Sequence, residues 1–165
     1  MNRYPQFFNH GGILAGHGFL ARVEMEGRCI LEETEPGYYT VFGLNPGAAS
    51  GQGATREEAN RDFLDHIEFV VNSFAAEAAD YAAFEDLVRE FFFDSNAVSA
   101  HEWAAAVEAV RSGRPLAEEF DRTIPAETEP RLSVDVVAGE MRAAKGNVNY
   151  TPELNVPRNE MLNAA

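Results

Sequence analysis

The stretch EETEPGYYTVFGLNPGAASGQGATREEANRDF, residues 32–63, decides how this chain folds, because it changes from a strand pattern to a glycine-rich segment and then to a helix. The apolar residues of Tyr38–Leu44 stand between two groups of turn-forming residues, Glu35–Gly37 and Asn45–Gly47. Turn residues on both sides of a short apolar run are typical of a strand that cannot extend further. The pattern therefore predicts one strand of about seven residues.

A glycine-rich segment and a capped helix follow this strand. Gly51 and Gly53 have no side chain, so their backbone can approach a neighbour closely or adopt a positive φ, and a further short strand is expected here. Thr55 and Glu58 have the spacing of a capping box, in which each side chain accepts a hydrogen bond from the other residue's backbone N–H, so we expect a helix to start at Arg56. Its apolar residues recur at helical spacing: Ala59, Phe63, Ile67, Val70, Val71 and Phe74.

This order of features resembles the small domain of the HicB-type antitoxin family of bacteria. The core of that family reads as an acidic strand, a turn, a G-Y-x-V strand, a P-G turn, a short glycine-containing strand and a T-x-E-E-A helix start. The resemblance covers about residues 29–74. The residues that carry it here are Gly37, Tyr38, Tyr39, Val41, Asn45, Pro46, Gly47, Gly51, Gly53, Thr55, Glu58 and Ala59.

The resemblance implies an antitoxin-like protein that binds a small basic RNA-cleaving toxin of the HicA type and covers its active site. Family members commonly append a DNA-binding motif, whereas residues 131–165 show one strand pattern and no recognition helix. We therefore expect no direct nucleic-acid binding by this chain alone. Two alternatives stay open: an acidic inhibitor that mimics nucleic acid, and a stand-alone HicB-like protein with another partner.

The charge of the chain favours a basic partner. The 165 residues contain 27 acidic and 13 basic side chains, which gives a formal net charge of −14. A surface built to neutralise phosphates would have the opposite balance. An acidic protein is instead suited to electrostatic steering of a basic protein.

The fold class predicted from these patterns is α+β, with an antiparallel sheet of four or five strands packed by a long helix and a helical insert. We expect a single domain over residues 1–165 with its core at about 19–76. Residues 1–18 contain Pro5 and several glycines and are predicted to be irregular. Phe19–Met25 and Arg28–Thr34 read as two strands joined by a turn at Glu26–Gly27.

The helical insert is expected at about residues 77–122. A stripe of apolar residues predicts one helix that ends near Phe93, and Ser99 predicts the cap of another that spans about Ala100–Ser112. Leu132, Val134 and Val136 alternate with polar residues, which predicts a final strand. The rest of the segment 131–165 is expected to be an extended tail that contacts the domain or a neighbouring chain.

The aromatic run Phe91, Phe92 and Phe93 is a candidate contact for a partner or an oligomer. Successive helical residues are about 100° apart, so at least one ring should point away from the core of its own helix. Either other parts of the fold cover that ring, or it contacts another molecule. Together with the open edge that a short glycine-rich strand would leave, the run favours a homo-oligomer, most simply a dimer.

No catalytic, metal or cofactor site emerges from the sequence. Arg56 stands where a G-x-G-x-x-G loop needs its third glycine, and four scattered histidines with a single cysteine, Cys29, give no metal-ligand spacing. The many carboxylates are typical of a solvated acidic surface. The sequence shows neither an export signal nor a long apolar segment for a membrane, so we predict a cytoplasmic protein that is not an enzyme and needs no cofactor.

Overall fold

We describe the protein from a computed structural model, which covers residues 3–113 and 129–138 and the backbone of residues 160–163. Within these residues the chain forms six strands and three helices. The elements in chain order are β1 Arg3–Gly16, β2 Phe19–Glu35, β3 Tyr38–Asn45, β4 Ser50–Gly53, α1 Arg56–Glu77, α2 Tyr81–Phe93, α3 Ala97–Arg111, β5 Arg131–Ala138 and β6 Glu160–Asn163. The predicted α+β class with an antiparallel sheet is confirmed. The predicted end of the helical insert at 114–122 and most of the tail lie outside the described residues.

The sheet is built on a long hairpin of β1 and β2. Strand β1 pairs with β2 along its whole length, from Arg3 opposite Glu32 to Gly16 opposite Phe19, and Gly18 in the tight turn has a φ of +77°. The prediction of an irregular segment over residues 1–18 is therefore wrong. Proline is a strand-breaking signal, yet Pro5 lies within β1. It is outside the four residues that pair with β6, and the missing N–H of proline is tolerated at a position without that pairing.

Strand β2 changes its partner at Gly27. Its first half pairs with β5 and its second half with β3, on the side away from β1. A Cβ atom at Gly27 would lie 2.1 Å from the carbonyl oxygen of Asn45 and 2.4 Å from the Phe8 ring. The predicted turn at Glu26–Gly27 is therefore wrong, because this glycine permits a close approach inside one continuous strand.

Helices α1 and α2 cover one face of the sheet and enclose the main core. Alternate residues of the strands point to this face, and Phe8 of β1 makes an edge-to-face contact with Phe63 of α1, with ring centroids 5.2 Å apart. On the other half of the sheet, Phe19 of β2 lies 5.2 Å from Phe84 of α2. The predicted long helix on one face is confirmed.

Helix α3 lies on the opposite face. Phe7 follows β1 on the other side from Phe8, and its ring makes an edge contact with Trp103 of α3 at 5.7 Å. The Arg28 guanidinium lies over the same indole, 5.2 Å from its centroid. The start of α3 was predicted three residues too late, because the side chain of Asn96 accepts the capping hydrogen bonds and Ser99 is buried in the first turn.

In the described residues no helix is long and apolar enough to cross a membrane.

Candidate interaction surface

The turn between β3 and β4, residues 46–49, is the point where several elements meet. It begins with a cis peptide bond between Asn45 and Pro46, and a backbone hydrogen bond from Gly43 N to Ala49 O closes it at 2.9 Å. The Asn45 side chain accepts a hydrogen bond of 3.0 Å from Arg28 Nη2. The predicted Asn45–Pro46–Gly47 turn is confirmed and is anchored to β2.

Gly47 lies directly beneath the loop that joins α2 to α3. Its N–H donates to the carbonyl oxygen of Asp94 at 2.9 Å, and a Cβ atom on Gly47 would lie 2.6 Å from the backbone nitrogen of Asn96. Because α2 and α3 cover opposite faces, the 94–96 loop has to cross the edge of the sheet, and it crosses at this turn. The glycine leaves room for that crossing.

The glycines of β4 bring α1 against the strand. A Cβ atom on Gly51 would lie 2.2 Å from Phe63 N, and one on Gly53 would lie 2.5 Å from Ala59 N. Helix α1 thus fills the space on the glycine side of β4, which leaves no open glycine loop there to hold a phosphate. These residues of the resemblance act in packing.

The capping box at the start of α1 forms as predicted, with one difference. Thr55 Oγ1 accepts from Glu58 N at 3.1 Å, and the helix begins at Arg56. The Glu58 carboxylate accepts from Ala54 N at 2.9 Å, rather than from the backbone of Thr55. Both bonds still satisfy N–H groups at the helix start.

The outer edge of β4 is closed by two side chains of α1. The Asp62 carboxylate accepts a hydrogen bond from Gln52 N at 2.8 Å, and His66 Nδ1 lies 3.3 Å from Ser50 N and 3.1 Å from Ser50 O. Backbone groups at a sheet edge are what another strand would pair with. The expectation of an open edge at this strand is therefore wrong, and the dimer that it favoured stays a prediction.

The remaining strand residues of the resemblance have different environments. Gly37 makes the β2–β3 turn with a φ of +75°, Val41 is fully buried, and Tyr39 packs against the main core. Tyr38 is 41% exposed, and its hydroxyl donates to the side-chain oxygen of Gln52 at 3.0 Å. Of the strand residues in the motif, Tyr38 has the most exposed ring.

The three phenylalanines at the end of α2 do not form one patch. Phe92 is fully buried, and Phe91 packs edge-to-face on Phe74 with centroids 5.8 Å apart. Phe93 is 51% exposed. The prediction that at least one ring points away is confirmed, and this ring is Phe93.

The exposure of the two most exposed large apolar side chains of the described residues is not predicted from the sequence. Phe69 of α1 is 71% exposed and Val98 of α3 is 67% exposed. Phe69 falls between the positions of the apolar stripe of α1, which was a usable signal because a residue off the stripe faces solvent. Val98 precedes the cap predicted for α3 and therefore lies outside the helix that the sequence predicts.

The single cysteine, Cys29, is free and buried. Burial raises the pKa of the Cys29 thiol, which keeps it neutral and unreactive at neutral pH. Among the described residues no group of three His, Cys, Asp or Glu side chains is placed to hold a metal ion. Two buried donors, Arg28 Nε and Trp103 Nε1, have no acceptor within the part of the chain that is described.

Comparison of the chain with family models, with curated proteins and with solved structures finds no match. The resemblance of residues 29–74 to the HicB-type family therefore stays a prediction, carried by the motif residues themselves. Any function has to be inferred from the exposed side chains and the charge of this chain.

Proposed function

We propose that this protein acts by binding: an antitoxin-like cytoplasmic protein that docks on a small basic RNA-cleaving toxin of the HicA type and occludes its active site. The observation that carries the proposal is the exposure of large apolar side chains on ordered helices of a strongly acidic chain, with Phe69 at 71% and Phe93 at 51%. Exposed apolar side chains among charges are typical of protein contact surfaces.

The order of elements supports the HicB-type reading of this binding function. Strand β3, the 46–49 turn, the short glycine strand β4 and the capped helix α1 follow one another as the resemblance implies. The motif residues of these elements are mostly buried or hydrogen-bonded within the fold. They define a scaffold, and its exposed side chains are left for a partner.

The charge supports a basic partner. A net charge of −14 attracts a basic protein at long range and raises the rate of productive encounter. A basic toxin that cleaves RNA has to present positive charge to its substrate, so an acidic protein suits the same surface. Occlusion of that surface requires no catalytic residue on this chain.

Co-expression tests the proposal. The small basic reading frame beside this gene is expressed alone and together with this protein, and growth is followed. We expect the frame to be toxic alone, growth to be restored by this protein, and a complex to co-purify whose association rate falls as salt is raised. An unrelated acidic protein of similar charge serves as the control and should not restore growth. A harmless neighbour, or two proteins that never co-purify at low salt, would refute the proposal.

A nucleic-acid mimic is the second candidate, and one observation favours it. Asp86 and Glu90 of α2 and Asp94, which caps its C-terminus, are all exposed and follow one another at four-residue spacing, about 6 Å apart. On the described part of α3 this row is not continued, since Glu108 is its only exposed acidic residue. A mimic would displace duplex DNA from unrelated basic nucleic-acid-binding proteins, whereas an antitoxin would not.

A further inference from the structure

The three most exposed large apolar side chains of the described residues belong to three different elements. They are Phe69 of α1, Val98 of α3 and Phe93 of α2, which are 71%, 67% and 51% exposed. Single exposed apolar residues are normal on a protein surface, but a contiguous group marks a contact site. Their positions relative to the 46–49 turn decide which case applies.

Helix α1 runs antiparallel to β4 and brings Phe69 level with this turn. Gly53 packs on Ala59, whereas Ser50 bonds to His66. Residue numbers therefore rise along α1 in the direction in which they fall along β4, which is towards the turn. Phe69 is three residues beyond His66, about 4.5 Å along the helix axis, which corresponds to between one and two residues of strand beyond Ser50. Phe69 is therefore level with Ala49 and the exposed Ala48.

Phe69 also faces the edge side of α1. Residues 62, 66 and 69 have the spacing i, i+4, i+7, which places them in one row on the helix surface. Asp62 and His66 of this row bond to the outer edge of β4. Phe69 thus continues the row past the end of β4, beside the 46–49 turn.

Phe93 and Val98 reach the same turn from its other side. Gly47 N donates to the carbonyl oxygen of Asp94, and Gly47 is packed under the backbone of residues 94–96. Phe93 directly precedes this loop and Val98 follows it by two residues. The three apolar side chains therefore surround one turn, and we name Phe69, Phe93 and Val98 the turn patch.

Acidic side chains flank Phe69 and Phe93 of the turn patch. Asp65 lies one turn before Phe69 on α1, and Glu90 and Asp94 lie beside Phe93; all three are exposed. The nearest arginine of α2, Arg89, is engaged by the Glu85 carboxylate at 2.7 Å. A second copy of this chain would bring the same acids against these, which costs free energy, whereas a basic protein would pair with them.

We infer that the turn patch is the docking site for the basic partner, with Phe69 as the side chain that inserts into an apolar pocket of that partner. This inference rests on the proposed function and adds the place of contact. Phe69 and Val98 are fixed on ordered helices, so little conformational entropy is lost when they are covered. The acidic rim steers the partner and sets the salt dependence, and the apolar centre holds it.

Paired variants test the location. Phe69→Ser and Val98→Ser remove apolar area from the patch. Val137→Ser is the matched control, because Val137 is 42% exposed but belongs to β5. This strand pairs with the first half of β2, whereas the 46–49 turn follows β3, which pairs with the second half. Affinity for the purified product of the adjacent basic reading frame is measured for each variant, and circular dichroism confirms the fold. We expect Phe69→Ser to weaken binding about tenfold or more, Val98→Ser severalfold, and Val137→Ser by less than twofold.

A charge variant separates steering from contact. Asp65→Asn should slow association a fewfold at low salt and have no effect at high salt. Glu24→Gln is the control, because Glu24 lies in the half of β2 that pairs with β5, and it should leave the association rate unchanged at both salt concentrations. Asp65 has no hydrogen bond whose loss would complicate the result in the described residues. An equal effect of both substitutions would overturn the acidic rim as part of the site.

The outcomes separate the inference from the proposed function. Wild-type binding that Phe69→Ser and Val98→Ser leave intact would overturn the docking site and leave the antitoxin proposal standing. Absence of wild-type binding would overturn both. Light scattering of the free protein supplies the last outcome: a wild-type dimer that Phe69→Ser converts to a monomer would assign the patch to a second copy and overturn the basic partner.

Discussion

Gly51 shows how one residue sets the distance between two elements. Its backbone lies so close to α1 that an added Cβ atom would meet Phe63 N at 2.2 Å and Ala59 O at 2.5 Å. Both of these atoms belong to the helix backbone and cannot rotate away. The sequence predicts a glycine strand here, but it does not distinguish a close approach from a positive φ, because glycine serves both.

The first prediction compares two glycine substitutions. Gly51→Ala should lower the free energy of unfolding by about 1–3 kcal/mol or more, since α1 has to move away from β4. Gly12→Ala is the control, because a Cβ atom there meets nothing within 4 Å, and it should be neutral or stabilising by up to about 1 kcal/mol. Urea denaturation of both variants measures the difference. Equal midpoints would contradict the close packing of α1 on β4.

At the level of elements, the sequence predicts best those helices and strands whose start and end are determined by their own residues. Helix α1 carries its own cap at Thr55 and its own apolar stripe, and β3 lies between two turns, so both were predicted with their correct starts. Strand β1 was not, because its burial depends on β2 and on helices far along the chain. The glycines and the proline of β1 favour turns, but the long pairing with β2 outweighs this local preference and keeps the segment extended.

The cap of α3 and the edge of β4 depend on tertiary contacts in the same way. Ser99 has the right spacing for a capping box, yet Asn96 caps the helix because the 94–96 loop is held on Gly47. The edge of β4 was expected to be open, but Asp62 and His66 reach it only because the glycines allow α1 to lie so close. Neither contact can be read from a local pattern.

The second prediction concerns this closed edge. Asp62→Ala leaves the N–H of Gln52 without its acceptor and should lower stability by about 1 kcal/mol. It should also increase self-association, because an unpaired strand edge can pair with another copy. Asp65→Ala removes the same charge from the same helix without touching the edge and is the control. Light scattering at rising concentration should show larger species for Asp62→Ala alone, and identical behaviour of the two variants would argue against edge protection.

At the scale of the whole molecule, the turn patch could not be predicted from the sequence. One ring of Phe91–Phe93 was expected to point away from the core, but Phe69, Phe93 and Val98 are placed around one turn by the backbone contacts at Ser50 and at Gly47. The proposal of a basic partner could be made from composition alone, since the net charge of −14 is independent of the fold. The proposed place of contact can be located only in the folded protein, whereas the net charge can be counted from the sequence.

The third prediction concerns the stability of the free protein. Salt should raise this stability, whereas it should weaken the association with a basic partner. Glu90 stands four residues from both Asp86 and Asp94, and the last turn of α2 contains no basic residue. Like charges at this spacing cost about 0.2–0.5 kcal/mol per pair, and an acid near a helix C-terminus adds to that cost. Glu90→Gln should therefore raise the free energy of unfolding by about 0.5–1.5 kcal/mol at low salt, and the gain should shrink as salt screens the repulsion.

Glu85→Gln is the control for this charge effect, because Glu85 accepts from Arg89 at 2.7 Å and its loss should lower stability by up to about 0.5 kcal/mol. Thermal unfolding of both variants and the wild type, at low and physiological ionic strength, measures the effects. Salt should stabilise the free wild-type protein by screening its self-repulsion, while the same salt slows its association with a basic partner. If the two substitutions changed stability in the same direction, or if the gain from Glu90→Gln persisted at high salt, repulsion along α2 would not be its cause.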